Sequence, residues 1–255
     1  MKLENLLDKE ISRRMFLAGL AMELFIGCSE NKITNPRNRY DPDQNDQNTK
    51  ERDDKFNIFD YFPLETGNEW IYAIKGIPSE NNDIDRVLSV RDDVDKKVVV
   101  IGSGNVSLGS SAKMEYHHIY YIQNGSLLSY GSDYGDDHLY VEPPIVEGNL
   151  SMSVGSRFVT NFNFYNKINS DEWKHMGKGV STFTLLSLED IEVPVGRFEN
   201  CLRIEGRKNY KFFDESIDRT PIVKTHWFAK GIGKVKTSLE ILQDYYEFEL
   251  IDYSV

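Results

Sequence analysis

Apolar and polar residues alternate with a period of two along most of the chain after residue 56. The alternation is clear in residues 69–75, 202–205, 223–227 and 246–250. Successive side chains of a β-strand point to opposite faces, so this pattern predicts strands that are buried on one face. No amphipathic stretch of ten or more residues with helical spacing follows, and one short helical turn is predicted near residues 56–61.

Turn-forming residues divide this pattern into segments. Asn124-Gly125 stands between two apolar runs, and this dipeptide is the strongest short signal for a hairpin. Residues 92–97 separate two further runs, and the VPVG segment at residues 193–196 predicts a turn before a strand that starts near Phe198. The pattern therefore predicts an all-β fold over residues 56–255. We expect roughly ten antiparallel strands in one domain, as a barrel or a strongly curved sheet.

Residues 28–55 differ from this domain in composition. They are rich in Asn, Asp, Gln, Lys and Arg and contain two prolines, with few core-forming side chains. Such a stretch buries too little apolar area to offset the entropy lost on ordering, which predicts a disordered tether. Residues 41–45 resemble the start of a calcium loop, D-x-D-x-N, but Asp46 and Arg52 stand where that loop needs Gly and Glu. A solvated linker is the preferred interpretation.

Residues 1–27 have the features of an export signal. The segment SRRMFL at residues 12–17 matches the twin-arginine consensus at every fixed position. Those positions are Arg13, Arg14, Phe16 and Leu17. The apolar stretch that follows is short and is interrupted by Glu23, whereas a membrane-spanning helix needs about 20 apolar residues. The stretch therefore predicts the signal helix of a cleaved peptide. The alternative is an amphipathic N-terminal helix on a cytoplasmic protein.

The apolar stretch ends at Gly27-Cys28, which resembles the cleavage site of bacterial lipoproteins, although Phe25 replaces the usual Leu. Acylation of Cys28 would attach the chain to a membrane through two or more acyl chains, which is enough for stable anchoring. Ser29 follows instead of Asp, which favours the outer membrane. We therefore predict an envelope lipoprotein on the periplasmic face of the outer membrane or on the cell surface, with the twin-arginine export machinery as its first partner.

The charge balance narrows the choice of further partners. The 255-residue chain carries a formal net charge of −11, and 12% of its residues are aromatic. Residues 1–27 contain four basic and four acidic residues, so their removal leaves the net charge at −11. An acidic domain repels phosphate backbones, and nucleic acid is excluded as a partner on that ground. The acidic domain also gains no attraction to anionic lipid, so membrane attachment depends on the lipid at Cys28.

Motifs that carry chemistry are weak in this sequence. Cys201 has no partner in the chain once Cys28 is acylated, which excludes a disulfide framework. Residues 97–104 resemble the first glycines of a dinucleotide fold, but Ser107 stands at the third glycine position. Residues 110–113 match S-x-x-K without the helical context that penicillin-recognising enzymes need, and no G-x-S-x-G occurs. We expect no cofactor and no catalytic residue from these motifs.

The histidines offer little more. His117 and His118 are adjacent, so on a strand they point to opposite faces and cannot easily share a metal ion. An acidic loop holds Asp133, Asp136, Asp137 and His138. A solvated hairpin tip is the preferred interpretation of this loop, with a weak cation site or part of an enzyme site as the alternatives. No metal site is expected.

Three segments together resemble those of a broad set of uncharacterised bacterial lipoproteins and secreted β proteins. They are YFPLETGNEWIY at residues 61–72, VPVGRFENC at residues 193–201 and WFAKGIGKVK at residues 227–236. The resemblance covers residues 61–255 and implies the location and the fold. It implies no catalytic residues.

The leading hypothesis is a non-enzymatic envelope lipoprotein whose β domain binds a protein partner or an apolar, lipid-like ligand. Several aromatic residues are candidates for lining an apolar cavity, with core packing as the alternative. They are Trp70, Tyr72, Trp227, Phe228, Tyr246 and Phe248. The rival hypotheses are an enzyme whose site is assembled from distant residues and a purely structural envelope protein. A pocket that gathers two carboxylates and a histidine with strongly shifted pKa values would favour the enzyme.

Overall fold

The computed structural model describes residues 55–75, 81–107, 113–135, 137–167, 172–213, 221–241 and 244–255. The predicted signal, with Arg13, Arg14, Phe16 and Leu17, lies outside the described residues, as do Cys28, the tether and the calcium-like segment. Asp136 and the Ser of the S-x-x-K segment also lie outside them. Within the described part of the chain, no helix is long and apolar enough to cross a membrane.

The described residues form one short helix and twelve strands. The elements are α1 (Ile58–Tyr61), β1 (Glu69–Ile74), β2 (Asn81–Asp93), β3 (Lys96–Ser107), β4 (Lys113–Gln123), β5 (Ser126–Tyr134), β6 (Asp137–Asn149), β7 (Arg157–Lys167), β8 (Lys174–Val193), β9 (Gly196–Phe212), β10 (Ile222–Ala229), β11 (Gly233–Ile241) and β12 (Asp244–Ser254).

The twelve strands close into an up-and-down barrel. Each strand pairs antiparallel with the next one in the chain, and β12 pairs with β1 to complete the ring. The predicted all-β fold is confirmed, with twelve strands instead of ten. Bulges shift the register in several pairs, for example between Leu185 and Ser187 in β8, and each bulge interrupts the period-two pattern that the sequence displays. Closure leaves no exposed edge strand, since every strand has two neighbours.

The segment before β1 covers one end of the barrel. Asn57 caps α1 by accepting a hydrogen bond from the backbone N–H of Phe59 at 3.0 Å. Ile58 is 1% exposed and belongs to the core cluster inside the barrel. Phe56 exchanges backbone hydrogen bonds with Met152, of 2.7 and 2.8 Å, and so fastens the segment to the turn between β6 and β7. The segment thus closes this end with apolar side chains.

Two turns show why the local sequence matters. Asn124 and Gly125 have φ values of 50° and 72°, the left-handed conformation that the predicted β4–β5 hairpin requires at both positions. Gly233 has a φ of 110°, and a Cβ there would lie 2.7 Å from Nε1 of Trp70. The Trp70 indole donates a 2.6 Å hydrogen bond to the carbonyl of Ile232. Only glycine allows β11 to start this close to the indole ring.

Candidate functional site

The barrel contains a cavity of about 170 Å³, and Phe62 is among the residues that line it. Eight side chains that carry carboxylate, ammonium or imidazole groups line it. They are Asp83, Asp85, His118, Glu147, Lys208, Lys224, His226 and Lys234. Charged groups are rarely buried unless they are paired or functional, because removal from water costs several kcal/mol per ion. This cavity is the candidate functional site.

The two aspartates lie on one wall. Asp83 and Asp85 are two residues apart on β2, so both carboxyl groups point into the cavity. Asp85 Oδ2 lies 2.6 Å from Lys234 Nζ, and Ser103 Oγ donates a 2.6 Å hydrogen bond to Asp85 Oδ1. Burial alone would raise the pKa of Asp85, but the Lys234 charge and these two hydrogen bonds lower it below its ordinary value. Asp85 is therefore ionised.

Asp83 is in the opposite electrostatic situation. Its side chain is 8% exposed, and no hydrogen bond from a described residue reaches its carboxyl group. Burial, followed by the charge of Asp85, raises the pKa of Asp83 to about 8, although Lys234 acts in the other direction. At neutral pH Asp83 therefore carries a proton and can donate a hydrogen bond into the cavity.

Lys234 reaches across the barrel to make this contact. It lies on β11, three strands from β2 in the barrel order. Its Nζ is 5.1 Å from the ring centre of Tyr72, and the Tyr72 hydroxyl donates a 3.0 Å hydrogen bond to the Lys234 carbonyl. Burial and the charges of Asp85 and Asp83 raise the pKa of Tyr72 well above its ordinary value, so its hydroxyl stays protonated. Tyr72 thereby fixes the strand from which Lys234 extends.

The basic groups lie on another wall, formed by β9 and β10. Lys208 on β9 faces Glu147 on β6, with 3.9 Å between Nζ and Oε1. Lys224 and His226 are two residues apart on β10 and both line the cavity. His226 Nδ1 lies 2.9 Å from the Thr237 hydroxyl oxygen. Burial, followed by the charges of Lys234, Lys224 and Lys208, lowers the pKa of His226 well below its ordinary value, so the imidazole is neutral.

Six further lining side chains consist mainly of hydrocarbon. They are Ile101, Tyr120, Phe183, Ile222, Leu239 and Phe248. A bound molecule would therefore contact both ionisable groups and hydrocarbon. Pockets that bind small molecules combine apolar lining with placed polar groups that fix the orientation of the ligand.

The aromatic residues singled out from the sequence are divided by the structure. Tyr72 and Phe248 line the cavity. Trp70 is 1% exposed and packs in the core, with its ring centre 5.7 Å from that of Phe62. Tyr246 and Phe228 belong to the packing of the core cluster. Trp227 lies on the outer face of the wall, where its Nε1 donates a 2.9 Å hydrogen bond to Glu189.

The ionisable lining was not predicted, although the sequence held a signal for part of it. Asp83 and Asp85 are in phase with Val87, a residue that is 1% exposed. Alternation therefore places both carboxyl groups on the inner face. Lys224 and His226 alternate with Trp227, and the pattern alone could not decide which set faces inward. The β9–β10 register shows that His226 and Lys224 do.

The other candidate residues remain apart from this site. His117 is exposed whereas His118 lines the cavity, so the two adjacent histidines do face opposite sides of β4. In the predicted acidic loop, His138 Nδ1 lies 2.6 Å from Asp133 Oδ1. No group of three or more His, Cys, Asp or Glu among the described residues is arranged to hold a metal ion. Burial raises the pKa of the Cys201 thiol to about 11, so it is not a nucleophile at neutral pH.

A second set of charged groups lies on the outer face of the barrel, mainly on β11 and β12. Glu247 on β12 accepts hydrogen bonds from Lys236 and Lys75 at 2.8 and 2.9 Å. Burial alone would raise the pKa of Glu247, but its contacts with the two lysines and with Tyr245 lower it to about 2. Beside it, Lys236 Nζ lies 5.5 Å from the ring centre of Trp227. The carboxylates of this outer cluster are matched by cations.

No protein-family model and no curated protein sequence matches this chain. The chain is similar to two solved structures. One is a predicted lipoprotein from Parabacteroides distasonis, with 12% identity and a TM-score of 0.48, over 76% of this chain and 98% of that chain. The other is a predicted exported protein with a YmcC-like fold from Bacteroides fragilis, with 14% identity and a TM-score of 0.48, over 76% of this chain and 99% of that chain. Likeness at this level assigns no activity or ligand to the chain.

Proposed function

We propose that the protein is a lipid-anchored envelope protein whose barrel binds a small polar molecule in its interior and does not transform it. The observation that carries the proposal is the cavity lined by eight ionisable side chains. A barrel interior is most easily stabilised by apolar packing, and replacing buried ion pairs by apolar residues often raises stability. Retention of buried acids and bases around an open space therefore favours a binding role.

The polar lining modifies the ligand expected from the aromatic residues. An apolar, lipid-like molecule would offer no hydrogen bond to the buried carboxyl group of Asp83, which costs free energy. A polar ligand with a small hydrocarbon part satisfies both kinds of wall. An engineered cavity of about 150 Å³ holds one benzene molecule, so a cavity of about 170 Å³ suits a ligand of similar or slightly larger size.

The binding role can be tested on the full-length protein extracted from cells in mild detergent. Native mass spectrometry, compared with the mass after denaturation, should reveal a retained small molecule. Ligand-observed NMR with a defined mixture of small acids, amines and amino acids covers ligands that dissociate during purification. Lys224→Ala should abolish both signals, whereas Lys178→Ala, on an exposed outer position of β8, should preserve them. Absence of both signals in the wild-type protein contradicts the proposal.

The envelope location rests on Arg13, Arg14 and Cys28 and has its own test. Cells labelled with radioactive palmitate should yield a labelled protein in the membrane fraction. Cys28→Ser should remove the label, and Cys201→Ser is the matched control because Cys201 is buried in the barrel. An unlabelled, full-length wild-type protein in the cytosol would disprove the lipid anchor.

Catalysis is the second candidate function. The specific observation in its favour is the presence in one cavity of Asp83, Asp85 and His226, all with strongly perturbed environments. A protonated Asp83 is a possible general acid, and a neutral His226 is a possible base. Against it, Asp85 is already engaged by Lys234 and Ser103. If a molecule recovered from Asp83→Asn differs chemically from the one recovered from wild type, the cavity is catalytic.

A further inference from the structure

The turns that follow the even-numbered strands share one end of the barrel with the start of β1, because each strand runs antiparallel to the one before it. This end is called the α1 end here, since the segment that contains α1 covers it. Its turns connect β2–β3, β4–β5, β6–β7, β8–β9 and β10–β11. A surface that approaches this end meets these turns first, so their side chains decide what the end can contact.

Two neighbouring turns at the α1 end carry no charged side chain. The β4–β5 turn lies within residues 119–132 and the β6–β7 turn within residues 148–156, and neither range contains Asp, Glu, Lys or Arg. Leu150 joins the two turns, because its backbone N–H donates a 2.9 Å hydrogen bond to the carbonyl of Gly125 and its side chain lies against that glycine. In a chain of which 28% of the residues are charged, these turns form a distinct uncharged surface.

This uncharged surface also exposes aliphatic side chains. Leu150 and Val154 in the β6–β7 turn are 54% and 53% exposed. The β2–β3 turn exposes Val94 as well, but Val94 stands between Asp93 and Asp95. Charged side chains oppose transfer of a turn from water towards hydrocarbon. The β6–β7 turn is therefore the better suited of the two to contact lipid.

The chain enters the barrel beside the same turn. Phe56 exchanges two backbone hydrogen bonds with Met152, which lies between Leu150 and Val154. The sequence predicts a tether over residues 28–55, and a flexible chain of that length has a root-mean-square span of about 30 Å. Acylation of Cys28 would therefore hold the β6–β7 turn near the bilayer at an effective concentration of roughly millimolar order. A contact too weak to bind a free domain is sufficient under that condition.

We infer that the α1 end of the barrel docks on the bilayer that holds Cys28, with Leu150 and Val154 entering the headgroup region. This inference rests on the proposed lipid anchor and adds the orientation of the barrel. The opposite end then faces away from the bilayer. Strands β2 and β10 begin at that opposite end, with Asp83 and Lys224 as their third residues. These two lining residues of the cavity therefore lie towards the side away from the membrane.

The contact is apolar and not electrostatic. The chain has a net charge of −11 and gains no attraction to anionic lipid. Zwitterionic phosphatidylcholine is therefore the appropriate bilayer for a test. A contact of this kind should also persist when added salt screens the charges.

The experiment measures how close each end of the barrel lies to phosphatidylcholine vesicles that contain the full-length protein acylated in cells. A fluorophore is attached to Ser153→Cys in the β6–β7 turn or to Asp244→Cys, an exposed position at the opposite end. Wild-type protein is the labelling blank, because the Cys201 thiol is buried. Lipids that are spin-labelled near the headgroup should quench the Ser153→Cys probe about three-fold or more as strongly as the Asp244→Cys probe, at low and at high salt.

Variants identify the side chains that make the contact. Leu150→Asp combined with Val154→Asp should reduce quenching of the Ser153→Cys probe to the level of the Asp244→Cys probe. Both side chains are exposed, so the fold is preserved. Val180→Asp is the matched control, at a 39% exposed position on β8, and should leave the quenching unchanged.

The outcomes separate this inference from the lipid anchor. If the wild-type protein stays in the vesicles but its two ends are quenched equally, or the Asp244→Cys end more strongly, the docking is wrong and the anchor stands. Unchanged quenching in the double variant also contradicts the docking. A protein that is not acylated and is not retained by the vesicles contradicts both.

Discussion

Two clusters of charged side chains lie on opposite sides of the same barrel wall, and their electrostatic states differ. Strands β10 and β11 contribute to both, since Trp227 and Lys236 face outward while His226 and Lys234 face inward. In the outer cluster, contacts with lysines lower the pKa of Glu247 to about 2. In the inner cluster, burial raises the pKa of Asp83 to about 8.

The difference shows how to separate structural charges from functional ones. An acid whose pKa is lowered by neighbouring cations stabilises the folded chain as it stands. An acid whose pKa is raised by burial costs stability when ionised, and such a cost is found where a site requires it. The outer cluster is therefore a structural network, whereas the inner one contains a carboxyl group that is uncharged at neutral pH.

The largest expected effect is that of Asp85→Ala in the inner cluster. Removing this carboxylate leaves Lys234 inside the barrel without its partner, at a cost of about 3–5 kcal/mol for a buried pair. Chemical denaturation of the full-length protein measures the change in the free energy of unfolding. The control is Asp190→Ala, because Asp190 and its partner Arg197 are 46% and 64% exposed, and solvent screens such a pair so that its removal costs little. Equal losses in the two variants would mean that Lys234 is solvated.

The next effect concerns the pH dependence of Asp83→Asn. In the wild type, the unfolded chain releases the Asp83 proton near pH 4, whereas the folded chain keeps it up to a pKa of about 8. Wild-type stability therefore falls between pH 4 and pH 8 through this group and changes no further above pH 8.

The Asn variant lacks this dependence. Its stability relative to the wild type should rise from pH 5 to pH 9 by about 4 kcal/mol, since one pKa unit corresponds to roughly 1.4 kcal/mol. Thermal unfolding at several pH values measures the difference. Glu249→Gln, in the outer cluster, is the matched control and should show no such rise. A flat difference for Asp83→Asn would mean that Asp83 is ionised and solvated in the folded state.

Much of this fold was predictable from the sequence. Period-two alternation and the Asn124-Gly125 turn depend on local chemistry, and both predictions are confirmed. The number of strands was underestimated because bulges interrupt the alternation. The sequence predicted a short helical turn near residues 56–61, which is observed as α1. It did not predict that this segment closes one end of the barrel, because the contacts with Met152 are distant in the chain.

The site was less predictable because it depends on how distant strands meet. Asp85 and Lys234 are 149 residues apart in the chain, and their 2.6 Å contact follows from barrel closure. Trp227 was a candidate for lining a cavity, with core packing as the alternative, because alternation fixes two faces without saying which is inner. Only the pairing of β10 with its neighbours decides this. Asp83 and Asp85 did carry a local signal, since they are in phase with buried Val87.

In the outer cluster, Glu247→Gln should cost about 1 kcal/mol. The variant keeps the shape of the side chain but weakens the charge-assisted hydrogen bonds from Lys236 and Lys75. The folded-state pKa of Glu247 lies below its ordinary value, so its contribution is complete above about pH 4.5 and is lost as the pH falls towards 2. Denaturation curves at pH 7 and pH 3 should therefore differ less for the variant than for the wild type. An equal pH effect in both proteins would contradict the network.

The smallest effect is that of Lys75→Ala. Comparison with Lys236→Ala separates the effect of side-chain exposure from that of the distance between lysine and carboxylate. Lys75 lies 2.9 and 3.3 Å from Glu247 and Glu249, and Lys236 lies 2.8 and 3.5 Å from the same two carboxylates. The two lysines differ in exposure, at 58% and 17%, and in the contact of Lys236 with Trp227. Lys75→Ala should cost about 0.3 kcal/mol and Lys236→Ala about 1–2 kcal/mol, because solvent screens the exposed pair.

Raising the salt concentration from 0.05 to about 0.5 M should remove most of the Lys75 contribution and less of the Lys236 contribution. If the two variants lose equal stability with equal salt dependence, burial does not distinguish these contacts, and the outer wall is as solvated as an ordinary surface.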